Sequence, residues 1–161
     1  MDEPLCLLTV HAHPDDEASK GASAVALYHA QGVRTVLVCC TGGEEGDILN
    51  PTMDHQHVRD DLPAVRRREL AASAEVIGYD EVVMLGYRDS GMFDSDSNDH
   101  PECLAAAPFD EAVDRLVSIC RMYQIHRPNL IKCTAAGKIV YINRGNCRGT
   151  GLPFSVQYRM M

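Results

Sequence analysis

Apolar runs alternate with helix-patterned segments along most of this chain, and no other feature limits its fold as sharply. Leu5–His11 reads as a first strand, valine-rich Val33–Cys40 as a second, and Glu81–Leu85 as a short third. Between the first two, alanine-rich Ala18–Gln31 predicts a helix ending at Gly32. Ala64–Ile77 predicts another, with Leu70, Ala71, Ala74 and Ile77 on one side and Gly78 as its stop. Phe109–Tyr123 is the best patterned helix. Its apolar face is Ala112, Val113, Leu116, Val117 and Cys120, at spacings of three and four. Asn129–Cys133 is a candidate fourth strand, and polar Gly86–Pro108 must be a long excursion. Alternation of this kind implies an α/β, Rossmann-like fold. A mostly parallel sheet with right-handed crossovers carries flanking helices.

Such a sheet puts its chemistry at the carboxyl ends of its strands. There the first strand runs into His11-Ala12-His13-Pro14-Asp15-Asp16-Glu17. His13 and Asp16 are three residues apart, so one turn of chain can aim both at a single point. A borderline metal such as zinc accepts that nitrogen and oxygen pair. Asp15, between them, can face a metal-bound water instead, and Pro14 stiffens the turn. A plain helix cap would explain one acid, with Asp15 or Asp16 at the N-cap and Glu17 in the first turn. It does not explain two histidines and three acids together. The loops after all three strands should share one sheet edge, gathering His11, His13, Asp15, Asp16, Glu44, Glu45, Arg88 and Asp89. A nucleotide-binding variant is disfavoured, because the first turn is acidic rather than glycine-rich and acids repel phosphates.

Composition narrows the partners. A net charge of −8 argues against nucleic acid or an anionic membrane surface. No apolar run approaches the roughly 20 residues of a membrane span, and the acidic start Met1-Asp2-Glu3-Pro4 is no secretory signal. The seven cysteines form no C-x-x-C pair. Cys6, Cys39, Cys40, Cys120 and Cys133 lie in or beside apolar runs, where free cysteine behaves as a small hydrophobe. A reduced, cytoplasmic setting is expected.

The His11–Glu17 run resembles the signature of the PIG-L or LmbE-like deacetylases, zinc enzymes that cleave N-acyl groups from glucosamine derivatives. Thr41-Gly42-Gly43-Glu44-Glu45-Gly46, Arg66-Arg67-Arg68-Glu69-Leu70 and Tyr87-Arg88-Asp89-Ser90-Gly91-Met92 agree with it. Within the family, Gly46–Asp54 and Lys20 resemble the branch that hydrolyses mycothiol S-conjugates. The resemblance runs from about Leu5 to Leu130. It implies a zinc-dependent hydrolase acting on the amide bond of a small amidosugar, a glucosaminyl-inositol S-conjugate, in thiol-dependent detoxification. It implies His13 and Asp16 as zinc ligands and Asp15 as the general base. Arg66 and Asp89 would hold the sugar-inositol part, and Lys20 would help choose the substrate. His11, on the same strand face as His13, would support the ligands. The chemistry suits the bond: zinc brings the pKa of bound water to about 7 and polarises the carbonyl, and a neighbouring carboxylate passes the proton to the leaving amine. Arg67 and Arg68 read as a solvated helix face.

The family's third ligand is a histidine in a His-Pro-Asp-His segment after the strand that follows the Phe109–Tyr123 helix. Here that helix leads to His126-Arg127-Pro128-Asn129-Leu130-Ile131, and Lys132–Met161 contains no histidine. Lys132, Lys138, Arg144, Arg148 and Arg159 make that stretch basic, with no acid, unlike the acidic body before it. The expectation is an N-terminal part of one LmbE-like domain over 1–131 and a divergent tail over 132–161, truncated or replaced relative to the family. His100-Pro101-Glu102 echoes the lost motif on the wrong side of the helix, and His126 lies at the helix exit. His55 and His57 read as solvated loop residues. The other readings are deacetylation of an N-acetylglucosamine derivative and a non-catalytic remnant that binds sugars.

Overall fold

Three parallel strands, β1 (Cys6–His11), β2 (Arg34–Thr41) and β3 (Glu81–Tyr87), form a sheet in the order β1-β2-β3. The structure, a computed structural model, describes residues 5–125 and the backbone of three further strands, β4 (Ile131–Ala135), β5 (Lys138–Asn143) and β6 (Ser155–Met160). Central β2 is buried from Thr35 to Thr41, which is why it reads as an unbroken apolar run.

Side-chain alternation along β2 divides the core into two layers. Val36, Val38 and Cys40 face one way with Leu8, Val10, Leu85 and Tyr87. They pack on Leu116, Ile119 and Cys120 of α5 (Phe109–Met122). Leu37 and Cys39 face the other way. They meet Val25 of α2 (Ala22–Ala30) and Leu70 and Ala74 of α4 (Leu62–Ile77). Of the predicted face of α5, Leu116, Val117 and Cys120 are buried and Ala112 and Val113 half-buried; Ile119, also buried, was not in it. On α4 the prediction errs at Ala71, which is exposed; the buried stripe is the narrower Leu70–Ala74 pair. Pro63 opens that helix, where its missing N–H costs nothing, and Gly78 closes it as expected.

The single helix expected over 18–31 is two. A four-residue turn, α1 (Asp16–Ser19), closes when Lys20 N–H donates to the Asp16 carbonyl. The chain then passes through Gly21 at φ 104° and restarts as α2. Only glycine takes that conformation without steric cost. A third short helix, α3 (Gln56–Asp60), precedes α4.

The fourth strand is also corrected. β4 comes near β1 but is not hydrogen-bonded to the parallel sheet. It pairs antiparallel with β5, and β5 with β6. His126 and residues 127–130 lie outside the described residues, as do the side chains of Cys133 and Cys147. Among the described residues no helix is long and apolar enough to cross a membrane.

Candidate active site

The loops after β1, β2 and β3 do meet at one sheet edge. The turn after β1 is organised by its own acids. One Asp16 carboxylate oxygen, Oδ2, accepts from both the Ala12 and His13 backbone N–H groups at 3.2 Å. The other, Oδ1, is ion-paired to Lys20. The buried Glu17 carboxylate accepts the Asp15 N–H at 2.8 Å. No side chain caps α1 in the ordinary way; the acids reach back to hold the turn instead. Asp15 sits at φ 107°, a region that few residues other than glycine, asparagine and aspartate enter.

His13 lies between two carboxylates. Its Nε2 is 3.3 Å from Asp89 Oδ1, and its Nδ1 is 3.8 Å from Asp16 Oδ2. The hydrogen bond that His13 donates to the Asp89 carboxylate raises the His13 pKa above the usual imidazole value, against the effect of burial. Burial alone would push both carboxyls up. The Lys20 and His13 hydrogen bonds outweigh it at Asp16, and the His13 and Gly91 bonds outweigh it at Asp89, so both end below the usual range. Asp89 is fixed from the β2 loop, where Glu44 Oε2 accepts its N–H at 2.7 Å. Next to it, Arg88 pairs with Glu45. Buried Ser90 accepts the Ala105 N–H at 2.8 Å, and Asn98 ties down the Ser90 and Met92 carbonyls.

Arg66, on α4, joins the first two loops. Its guanidinium donates to the Gly43 carbonyl at 3.0 Å, to the Pro14 carbonyl, and to Asp15 Oδ2 at 2.7 Å. Gly43, at φ 71°, lets the loop press onto that fork; a Cβ there would collide with the Arg66 side chain. Gly43→Ala is therefore expected to cost about 1–2 kcal/mol from backbone strain alone, and more once Arg66 is displaced. A lowered denaturant midpoint at unchanged m-value would show it.

The six residues singled out from sequence, His13, Asp15, Asp16, Lys20, Arg66 and Asp89, thus share one edge through direct contacts. Asp15 turns its carboxylate to Arg66, and Arg66 spends most of its fork on protein acceptors. His11 is buried, with Nε2 unpartnered among the described residues, and burial lowers its pKa. His100 accepts the Glu102 N–H and stands outside this network. His55 and His57 are exposed and stack on each other, ring centroids 5.5 Å apart. Arg67 and Arg68 are exposed, as read.

The donor chemistry of His13 and Asp16 suits zinc, but two donors do not make a centre. Among the described residues no three His, Cys, Asp or Glu side chains are grouped as a metal ion requires. Both Asp16 oxygens are also engaged, one of them by an ammonium. The described residues therefore do not complete a zinc site.

One feature at this edge was not legible in the sequence. Ile48, Leu49 and Met53 of the loop after β2 form a wall, with Val58, Leu62 and Val65 opposite, of a groove that begins at Asp15 and Arg66. Three apolar residues within an otherwise polar loop were the available signal.

A mycothiol S-conjugate amidase from Streptomyces coelicolor is 40% identical to this chain over 134 residues, which are 81% of this chain and 44% of that protein. A 1D-myo-inositol 2-acetamido-2-deoxy-alpha-D-glucopyranoside deacetylase from Acidothermus cellulolyticus is 45% identical over 121 residues, 71% of this chain and 41% of that protein. The chain spans less than half the length of these curated relatives. In fold it is similar to the N,N'-diacetylchitobiose deacetylase of Pyrococcus horikoshii. The TM-score is 0.56 at 24% identity, covering 74% of this chain and 38% of the other. The family model described as PIG-L, GlcNAc-PI de-N-acetylase, matches residues 8–145, past Leu130, where the motif resemblance was expected to end. With the edge residues in place and most of its length matched, the chain belongs to the PIG-L family.

Proposed function

We propose that this chain carries the proton-transfer and substrate-gripping part of an amide hydrolase acting on N-acylated glucosaminyl-inositol, with mycothiol S-conjugates as its substrates. What carries the reading is the Asp15–Arg66 pair standing beside the His13–Asp89 pair on one sheet edge. Asp15 is well exposed, so a water and an amide can both reach it. Its carboxylate takes the proton of the attacking water and returns it to the departing amine, the two halves of general base and acid catalysis. Arg66 holds that carboxylate in place. Asp89, aimed from two loops, accepts from sugar hydroxyls, and charged side chains make the stronger hydrogen bonds of this kind. Lys20, at the rim, selects among substrates.

Zinc dependence belongs to this proposal. His13 and Asp16 would be two of its ligands; the third that the resemblance implies, a histidine after the strand that follows α5, has no counterpart in Lys132–Met161. The substrate is a small molecule, and the cytoplasm is the proposed setting.

A second reading, deacetylation of the N-acetylated sugar, is favoured by the name of the Acidothermus relative. Release of free amine from an S-conjugate and from the N-acetyl sugar, with zinc supplied, separates the two. Turnover of the S-conjugate supports the amidase. Turnover of the N-acetyl sugar alone overturns it in favour of the deacetylase. Binding of both without turnover identifies a non-catalytic remnant.

A further inference from the structure

The carboxylates at the site edge already have partners from this chain. Arg66 pairs with Asp15, Arg88 with Glu45 and Lys20 with Asp16. His13 stands against Asp89, and Glu17 and Glu44 accept backbone N–H groups. Among these partners Lys20 bears most directly on metal binding, because it takes an oxygen that a metal ligand must offer.

Local structure puts the ammonium there. α1 is a single turn, and the Lys20 N–H donates to the Asp16 carbonyl at 2.8 Å. Residues four apart in such a turn lie on one face, so the Lys20 ammonium reaches Asp16 Oδ1. Gly21, at φ 104°, ends the helical run directly after it. The other oxygen, Oδ2, is committed to the Ala12 and His13 N–H groups. Oδ1 is therefore the oxygen left for a cation, and an ammonium and a divalent ion placed together on it would repel each other. The Asp16 side chain is 8% exposed and that of Lys20 54%. The acceptor is enclosed and fixed, while the donor sits on a flexible stem with a way out to water.

We infer that Lys20 and a divalent metal ion compete for Asp16 Oδ1: the ammonium holds the oxygen until the ion arrives and swings out to water when the ion binds. The inference rests on the metal part of the proposed function and adds a control on it, built into one turn of chain. The substrate-selecting role of Lys20 then belongs to the metal-loaded state, since an ammonium paired with Asp16 cannot also meet a substrate.

The test uses the full chain, dialysed, with zinc titrated against a chromogenic chelator in the parent, in Lys20→Gln and in Lys20→Arg. Removing a positive charge beside the ion should tighten zinc binding at least about tenfold in Lys20→Gln. Lys20→Arg keeps the charge and should bind as weakly as the parent. His13→Ala added to Lys20→Gln should remove the gain. A second measurement needs no substitution. Lys20, Lys132 and Lys138 are the lysines of this chain, so peptide mass spectrometry can follow acetylation of each by acetic anhydride. Saturating zinc should raise the labelling of Lys20 relative to the other two. Equal zinc affinity in the parent and Lys20→Gln, or Lys20 labelling indifferent to zinc, would each overturn the proposal. Tighter binding in Lys20→Gln without hydrolysis of any amide would count against the hydrolase reading and leave the competition standing; hydrolysis with zinc affinity unchanged would do the reverse.

Discussion

Asp15→Asn is expected to lower amide hydrolysis by about 10²–10⁴-fold, the contribution of a positioned general base, while the fold is retained. Asparagine is the substitution of choice because residue 15 sits at φ 107°, where asparagine is tolerated and most residues are strained. The amide oxygen can still accept from Arg66, so the loop contact persists while the proton acceptor is lost. The carboxylate is 73% exposed, and exposed ion pairs contribute about 0–1 kcal/mol. The midpoint of unfolding should therefore barely move. Asp15→Ala would confuse matters by adding backbone strain of about 1 kcal/mol. Steady-state turnover with zinc supplied, together with a denaturant melt, checks both halves. A rate within threefold of the parent would remove Asp15 from the proton path.

Arg66→Lys should be nearly as damaging, for a different reason. The Arg66 side chain is 14% exposed and reaches acceptors on two loops, Pro14 and Asp15 after β1 and Gly43 after β2. A planar fork serves three acceptors at once; an ammonium on a flexible stem does not. Lysine would leave at least one partly buried carbonyl unpaired. A loss of about 2–3 kcal/mol in stability is expected, the scale of hydrogen bonds from charged groups. KM should rise by more than about tenfold as the edge loosens. Stability and KM indistinguishable from the parent would show that Arg66 neither joins the loops nor serves the substrate.

Much of this was legible in the sequence because its signals are local. The apolar runs at Leu5–His11 and Val33–Cys40 read as buried strands, and the spacing of α5 pointed to one inward face. The same logic placed His13, Asp15, Asp16 and Asp89 at one edge, since parallel strands send their following loops to one side; Lys20 and Arg66 came only from the family resemblance. The errors lie where tertiary structure decides. Alanine-rich composition favours a continuous helix over 18–31, yet Gly21 and the reach of Lys20 to Asp16 break it. Ala71 looks apolar on a wheel but is exposed, because α4 buries only a narrow stripe, Leu70 and Ala74. The β4-β5-β6 hairpins lie in a stretch whose composition departs from the chain before it, and parallel alternation carried no information about them. The apolar groove was invisible for a similar reason. Its lining residues, Ile48, Leu49, Met53, Val58, Leu62 and Val65, follow no single period and come together only when the loop after β2 folds against α3 and α4.

The central claim is a metal half-site, two donors, His13 and Asp16, from one turn. Zinc titration of the dialysed chain against a chromogenic chelator tests this most directly. The prediction is weak binding, stripped by dialysis and abolished by His13→Ala, as expected when one of three protein ligands is missing from the described residues. One equivalent of zinc retained through dialysis, or weak binding indifferent to His13→Ala, would contradict it.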